Sequence, residues 1–481
     1  MTVVNFILGV ECLFLLYFLV LYGGYIGLNI ISLLTLPRYM QSRVMTELPQ
    51  SFSGFDLPIS IVVPAYNEAA VIVGSIRSLL QLSYPEYEVV IANDGSKDET
   101  VEVLRREFGL VLFPEAYRIR IQTARVRGVY LSTVYPNLRV VDKENGGRAD
   151  ALNAAINAAR YPLICVIDAD SILQRDSLQR VVQPFIEDPL TVACGGTIRI
   201  ANGCQVRGGF LERAGLPTNL WALFQVIEYL RSFLFGRVGW SRVNGLLIIS
   251  GAFGVFKKEI VVSIGGYNHA TIGEDMELVM RMHLALIERK VPYRVCYVPD
   301  PVCWTEAPED YKTLRSQRIR WAHGLGDCIA LNRRLLFKRG SGALGWVALP
   351  FNSILEWINP VVEITGFVFV VVTYFLGLIS VSSLMIFFLF TVGLGVLLSV
   401  SALLLEELSF HTYPKMRHLI VLFVAAIAEN FGYRQITSFW GLQGLVRWIV
   451  GSKPGWGDMK RNADWQAETT GDEVETQGSV K

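Results

Sequence analysis

ISIVVPAYNE, residues 59–68, passes from a short β-branched run into a proline and then into Tyr66, Asn67 and Glu68. Such a run closed by a proline reads as a buried strand ending in a turn. The same pattern recurs at EVVIA (Glu88–Ala92), closed by Asn93-Asp94-Gly95, at Asn137–Val141 and at Leu163–Ile167. Between these lie Ala69–Leu82 and Arg148–Ala159, with apolar residues at helical spacing. Strands alternating with helices predict a mostly parallel α/β sheet. Sheets of this kind take ligands beyond the carboxyl ends of their strands. Those ends carry Tyr66 and Glu68, then Asp94, Gly95 and Ser96, then Asp168 and Asp170, so acidic and polar side chains are expected along one edge.

Outward from this segment the composition changes. Of 481 residues 52% are hydrophobic, and a mean hydropathy of +0.38 is too apolar for an ordinary soluble protein. From Val3 to Leu36 Glu11 is the only charge, and that run exceeds the roughly 20 residues a membrane helix needs. Arg38 and Arg43 follow it, with no basic residue before, which places the next segment in the cytoplasm. Phe351–Ser380 and Ser383–Leu405 read as two further spans, with Glu356 and Glu363 near the start of the first. Leu419–Val450 is interrupted by Glu429, Asn430, Gly432, Arg434 and Gln435, residues costly at bilayer depth. It reads as a re-entrant or interfacial hairpin, with a broken fourth span as the alternative. The expected organisation is therefore a membrane helix and basic flank over 1–45, a cytoplasmic domain over 55–340, and an interface helix with membrane segments over 341–452. A cytoplasmic tail over 453–481 completes it, its last part disordered.

Several function classes find no support. Lys+Arg 44 against Asp+Glu 43 gives a net charge of +1, so no global field recruits nucleic acid. The 7 cysteines form no C-x-x-C pair and the 5 histidines no H-E-x-x-H, which removes the usual zinc patterns. The turn after the first strand is neither G-x-G-x-x-G nor a P-loop.

Three acidic or basic clusters remain. Asp168 and Asp170 flank Ala169 at a strand end, a spacing that lets both approach one hard cation such as magnesium or manganese, although Asp-x-Asp is also a common turn or cap. Gly273-Glu274-Asp275 opens a helical pattern over Met276–Leu286. It reads equally as a dipole-complementing helix start and as the site of a carboxylate that takes a proton from a hydroxyl. QRIRW (Gln317–Trp321) precedes the apolar region. It reads either as a positive-inside flank with an interfacial tryptophan, or as an arginine for a diphosphate and an indole for a sugar.

Taken in order, PAYNE, NDGSKDET, NGGRADALN, DAD, GED and QRIRW resemble the membrane-bound, inverting family 2 glycosyltransferases, the group of cellulose, hyaluronan, chitin and poly-N-acetylglucosamine synthases. The resemblance covers about Ile59–His323. It implies an α/β GT-A-type domain inserted between transmembrane helices of a plasma-membrane protein, with a UDP-sugar donor and Mg2+ or Mn2+. The acceptor is then a growing polysaccharide or a lipid, and an accessory subunit or a second copy is a further expected partner. By position, Ala65, Tyr66, Glu68 and Asp94 would line the nucleobase pocket, and Lys143 and Arg148 would cradle phosphate or ribose. Asp168 would lie near the donor, with Asp170 as the metal ligand. Asp275 would be the general base, Gly251, Phe253 and Glu274 would bound the acceptor, and Arg320 would meet the diphosphate. Gln317 and Trp321 would hold the acceptor end. Arg148 stands where a lysine is usual, and GED replaces the commoner TED. GWGDMKR (Gly455–Arg461) is also similar to a segment of bacterial members, in which Trp456 would belong to a closing segment or, equally, to an interfacial anchor.

Overall fold

The run that opens the reading forms strand β1 (Ile59–Ala65) of a computed structural model that describes residues 3–46, 56–113 and 117–452. The Gly455–Arg461 motif, with Trp456, lies outside the described residues. The chain divides into two compact units, an α/β unit from Thr46–Pro217 and Leu247–Ala307 and a helical unit from Met1–Met45, Thr218–Leu246 and Pro308–Asp458.

In the α/β unit β2 (Tyr87–Asp94), β3 (Leu110–Leu112), β4 (Val126–Ser132), β5 (Leu138–Lys143), β6 (Leu163–Ile167) and β7 (Ile172–Leu173) follow β1. Then come β8 (Thr191–Ile200), β9 (Gln205–Arg207), β10 (Phe210–Arg213), β11 (Phe253–Lys257) and β12 (Arg294–Thr305). Ten of them form one sheet in the order β3-β4-β5-β2-β1-β6-β11-β8-β12-β7, while β9 and β10 pair separately. The centre, β5-β2-β1-β6, is parallel throughout. The sequence reading found these four strands. It did not find β4 or β11, which join antiparallel on either side. β4 precedes β5 by a short turn, too short for a crossover helix, so antiparallel pairing follows.

Ile61, Val62, Val63, Val89, Val90 and Ile91 are wholly buried, as expected of central parallel strands covered on both faces. Each such side chain contributes about 1.5–3 kcal/mol of transfer free energy. The helix Arg148–Ala158 lies on this core, and apart from Arg148 all its residues are buried. It is alanine-rich because it packs closely against β1 and β2.

Within the expected 55–340 domain, Thr218–Leu246 and the chain from Pro308 belong to the helical unit, with the apolar helices. Leu220–Tyr229 is strongly apolar, and its helix continues through wider turns at Leu230–Arg237. Asn5–Gln41 and Val381–Ser409 are each long and apolar enough to cross a membrane. Two bent pairs bring the number among the described residues to 4 if each is one span: Leu344–Glu356 with Asn359–Phe375, bent by 43°, and Met416–Ala428 with Tyr433–Val450, bent by 55°. The second bend falls at the polar interruption noted in the sequence, where Gly432 has φ +104°.

The polar residues of these helices pair with one another. Arg231 meets Glu429, which also accepts from the Ser399 hydroxyl at 2.5 Å. Arg434 lies 3.4 Å from Glu363, whose other oxygen accepts from Ser438 at 2.8 Å and Asn359 at 3.0 Å.

Candidate active site

The carboxyl edge of the parallel strands is laced together by short side chains. Asn67 has φ +56°, a left-handed conformation that asparagine tolerates. Its main-chain N–H donates to Ser96 Oγ at 3.0 Å, and its Oδ1 accepts from the Lys97 N–H at 2.8 Å. The Ala69 N–H donates to Asp98 at 3.1 Å and the Glu68 N–H to Thr100 Oγ1 at 3.0 Å. PAYNE and NDGSKDET are thereby one structure, and Tyr66 is left 42% exposed at its rim.

Behind this rim lies Asp94. Its oxygens accept from Lys143 Nζ at 2.5 Å, the Gly146 and Gly147 N–H groups at 2.9 and 2.8 Å, and Asn145 Nδ2 at 3.1 Å. Lys143 is fully buried and also pairs with Asp150 at 2.5 Å. The glycines are required here. Gly95 has φ +67° and a Cβ on it would sit 2.8 Å from the Asn145 nitrogen, while Gly147 has φ +88°.

Arg148, the first residue of its helix, joins three segments. Its Nη2 donates to Asp168 Oδ1 at 2.7 Å and to the Gly251 carbonyl at 2.8 Å, and its Nη1 meets Glu274. Burial opposes the charge on Arg148, but the carboxylates of Asp168 and Glu274 outweigh it and raise its pKa above the ordinary guanidinium value. Glu274 is pushed up by burial, pulled back by Arg148 and pushed up again by Asp275.

Asp275 stands in the first turn of the helix Glu274–Glu288. Its Oδ2 accepts from the Gly251 N–H at 2.9 Å and its Oδ1 from the Met276 N–H at 2.8 Å. Gly251 therefore offers its N–H to Asp275 and its carbonyl to the arginine that holds Asp168. The buried Tyr267 hydroxyl is raised by burial, opposed by Arg148 and reinforced by Asp275, Glu274 and Asp168.

Two regions of the chain match family models, Glycosyl transferase family 2 over residues 60–210 and Glycosyl transferase family group 2 over residues 163–402. The chain belongs to the family 2 glycosyltransferases. It is 30% identical over 268 residues to the poly-beta-1,6-N-acetyl-D-glucosamine synthase of Staphylococcus aureus, across 55% of this chain and 54% of that protein. The Staphylococcus epidermidis protein of the same name is 29% identical over 267 residues, with the same coverages. The chain thus matches about half the length of these curated relatives. Among solved structures, a mannosyltransferase from Pyrobaculum calidifontis, in complex with GDP-Man and Mn2+, superimposes with TM-score 0.51 and 20% identity, over 88% of this chain and 99% of that one. The α/β unit has the GT-A fold of family 2 glycosyltransferases.

Within that fold, the residues singled out from sequence separate into groups. Arg148, Asp168, Gly251, Glu274 and Asp275 form one connected cluster. Asp168 and Asp170 are both half-buried at the end of β6. No group of three or more His, Cys, Asp or Glu suited to a metal occurs among the described residues. Two half-exposed carboxylates nevertheless suit a hard cation that takes its other oxygens from a diphosphate and water.

Other residues singled out in the sequence of this family 2 glycosyltransferase lie deeper. Lys143 is fully buried, paired with Asp94 and Asp150. Asp94 is 3% exposed and accepts four hydrogen bonds, the capacity of a carboxylate, and so pins the 143–147 loop. Phe253 is 0% exposed and packs where a Cβ on Gly196 would lie. Ala65 is likewise buried, and Glu68 is half-buried at the rim.

QRIRW belongs to the helical unit, on the helix Tyr311–Leu331. There Arg318 pairs with Glu228 at 2.6 Å and lies 4.3 Å above the half-exposed Trp321 ring. Arg320 is buried, and Gln317 Oε1 is buried without a hydrogen-bond partner among the described residues. Sequence reasoning missed Asn145, Asp150 and Tyr267. The first two lie inside NGGRADALN, one residue type from signals already noted, whereas nothing local marks the tyrosine.

Proposed function

We propose that this chain is an inverting, processive glycosyltransferase that elongates a β-linked polysaccharide from a UDP-sugar, with UDP-N-acetylglucosamine the first donor to test and UDP-glucose the second. The observation that carries the reading is the Gly251 bridge. One peptide segment orients Asp275 through its N–H and, through its carbonyl, the arginine that holds Asp168. A base and a donor-side carboxylate are thereby fixed to a common frame, as a single displacement requires.

In that reaction Asp275 removes the proton from an acceptor hydroxyl, whose oxygen attacks the anomeric carbon. The bond to the diphosphate breaks as the new bond forms, UDP departs with the electron pair, and the anomeric configuration inverts. Arg148 supports the negative charge around Asp168 and Glu274. A divalent cation held by Asp170 and Asp168 would supply charge neutralisation to the leaving diphosphate. For Gln317, Arg320 and Trp321, roles toward acceptor and diphosphate rest on the motif. The basic flank at Arg38 and Arg43 supports a cytoplasmic catalytic unit, and the apolar helices support an outward route for product.

The test is incubation of the detergent-purified chain with radiolabelled UDP-N-acetylglucosamine or UDP-glucose, with Mn2+ or Mg2+ and no added lipid. High-molecular-mass product is expected, and EDTA abolishes it. Organic-extractable product would instead make the acceptor a lipid, and no turnover with any donor would remove the enzymatic reading.

A further inference from the structure

At the amino-terminal end of the same sheet, opposite the carboxylates, lies a cleft of about 680 Å³. It is bounded by the starts of β5 and β6, the carboxyl end of the helix Arg148–Ala158, and the start of the helix Lys258–Ser263. Six basic residues line it, Arg118, Arg120, Arg139, Arg160, Lys257 and Lys258, against the single acid Glu259.

The fold itself uses part of this charge. Arg139 Nη1 donates to the Ala158 carbonyl at 2.8 Å and Lys258 to the Ala159 carbonyl, as cations commonly do at a helix carboxyl end. Lys257 donates to the Pro189 carbonyl at 2.7 Å. Glu88, behind the wall, accepts from Ser60 and from the Arg160 N–H, both at 2.6 Å, and lies 4.0 Å from Arg139. Arg118 and Arg120 show no such bond among the described residues. They are exposed, on a loop clamped to the helix end by Asn157, which accepts from the Arg120 and Ile121 N–H groups at 3.0 and 3.1 Å and donates to the Ile121 carbonyl at 2.8 Å. Fixing the loop holds two guanidinium groups at the mouth of an already cationic cleft. Lys258 shows the resulting crowding, because its pKa is lowered by burial and then by Arg120 and Arg139, with Glu88 only partly opposing.

We infer that this cleft is a second ligand site, for a small phosphate-bearing anion. Arginine forks suit phosphate oxygens, and the volume falls in the range of small-ligand pockets. Tyr117, Tyr161, Ile156 and Val262 add an apolar wall for the rest of such a molecule. The helix between the two ends has 11 residues, with Arg148 at one end and Ala158 at the other, so a ligand here would bear on the same rigid element as the catalytic cluster. The inference concerns binding and stands apart from the transfer reaction proposed above.

The experiment is calorimetric titration of inorganic pyrophosphate, without divalent ions, into the full chain in phosphatidylcholine nanodiscs. One saturable site is expected. Arg118→Ala with Arg120→Ala should weaken it at least about tenfold, whereas Asp168→Asn with Asp170→Asn should leave it unchanged. Repeating the titration in phosphatidylglycerol nanodiscs identifies the source. Unchanged binding indicates a soluble phosphate ester, and competition that vanishes in the double arginine variant indicates a lipid headgroup. Absence of saturable binding in phosphatidylcholine, indifference to the arginine substitutions, or loss in the aspartate variant would each overturn the assignment.

Discussion

Buried cations are deployed differently in the two units. At the carboxyl edge of the sheet each is shared: Lys143 serves Asp94 and Asp150, and Arg148 serves Asp168 and Glu274. In the helical unit three arginines each pair with a single acid, Arg231 with Glu429, Arg434 with Glu363 and Arg318 with Glu228. One-to-one pairing suits Glu363, Glu429 and Arg434, which lie in or at the bend of the apolar helix pairs, because an uncompensated charge at bilayer depth is costly. Two acids per cation leave more carboxylates than cations at the sheet edge, in keeping with the proposed cation at Asp168 and Asp170 and the proposed proton transfer at Asp275. Shared pairing thus occurs both deep in the fold, at Lys143, and beside the half-exposed Asp168, at Arg148.

The sharpest way to break this comparison is Asp275→Asn. Transfer should fall by about 10³-fold or more while UDP-sugar binding persists, as read by product formation and by donor titration. Near-normal transfer would show that Asp275 belongs to the fold and not to the reaction. Next in size is Arg231→Ala, which leaves Glu429 without its guanidinium. A loss of about 3 kcal/mol is expected in detergent unfolding, largely restored when Glu429→Ala is added. A single variant as stable as the parent would mean that matching is not what stabilises these helices.

The smallest effect is a pH dependence. Burial raises the Glu274 pKa above its ordinary 4.5, so the folded chain holds a proton that the unfolded chain has released. That contribution to stability is complete below 4.5 and is lost as pH rises through the folded value. Glu274→Gln should therefore flatten the decline of Tm with pH above 4.5, and an unaltered slope would remove Glu274 from the account.

Much of the α/β unit is legible because central parallel strands are continuous apolar runs that end in turn residues, as in ISIVVPAYNE and LICVIDAD. The membrane helices are legible for a similar reason, since length and hydropathy decide them residue by residue. β11 is not, because SGAFGVFK becomes a central strand only when the chain returns from Thr218–Leu246. Nor is the assignment of that excursion to the helical unit, which depends on what its apolar face packs against.

By itself the sequence determined the elements of the parallel core, the apolar segments and the acids at the strand ends, because each follows from local pattern and chemistry. Only the tertiary structure decided which of those acids are spent. Asp94 and Asp168 look alike along the chain, yet one is saturated by a loop 49 to 53 residues away and the other is half-exposed beside Arg148. Burial and hydrogen-bond saturation are properties of the packed chain, and they separate an internal strut from a residue able to meet a ligand.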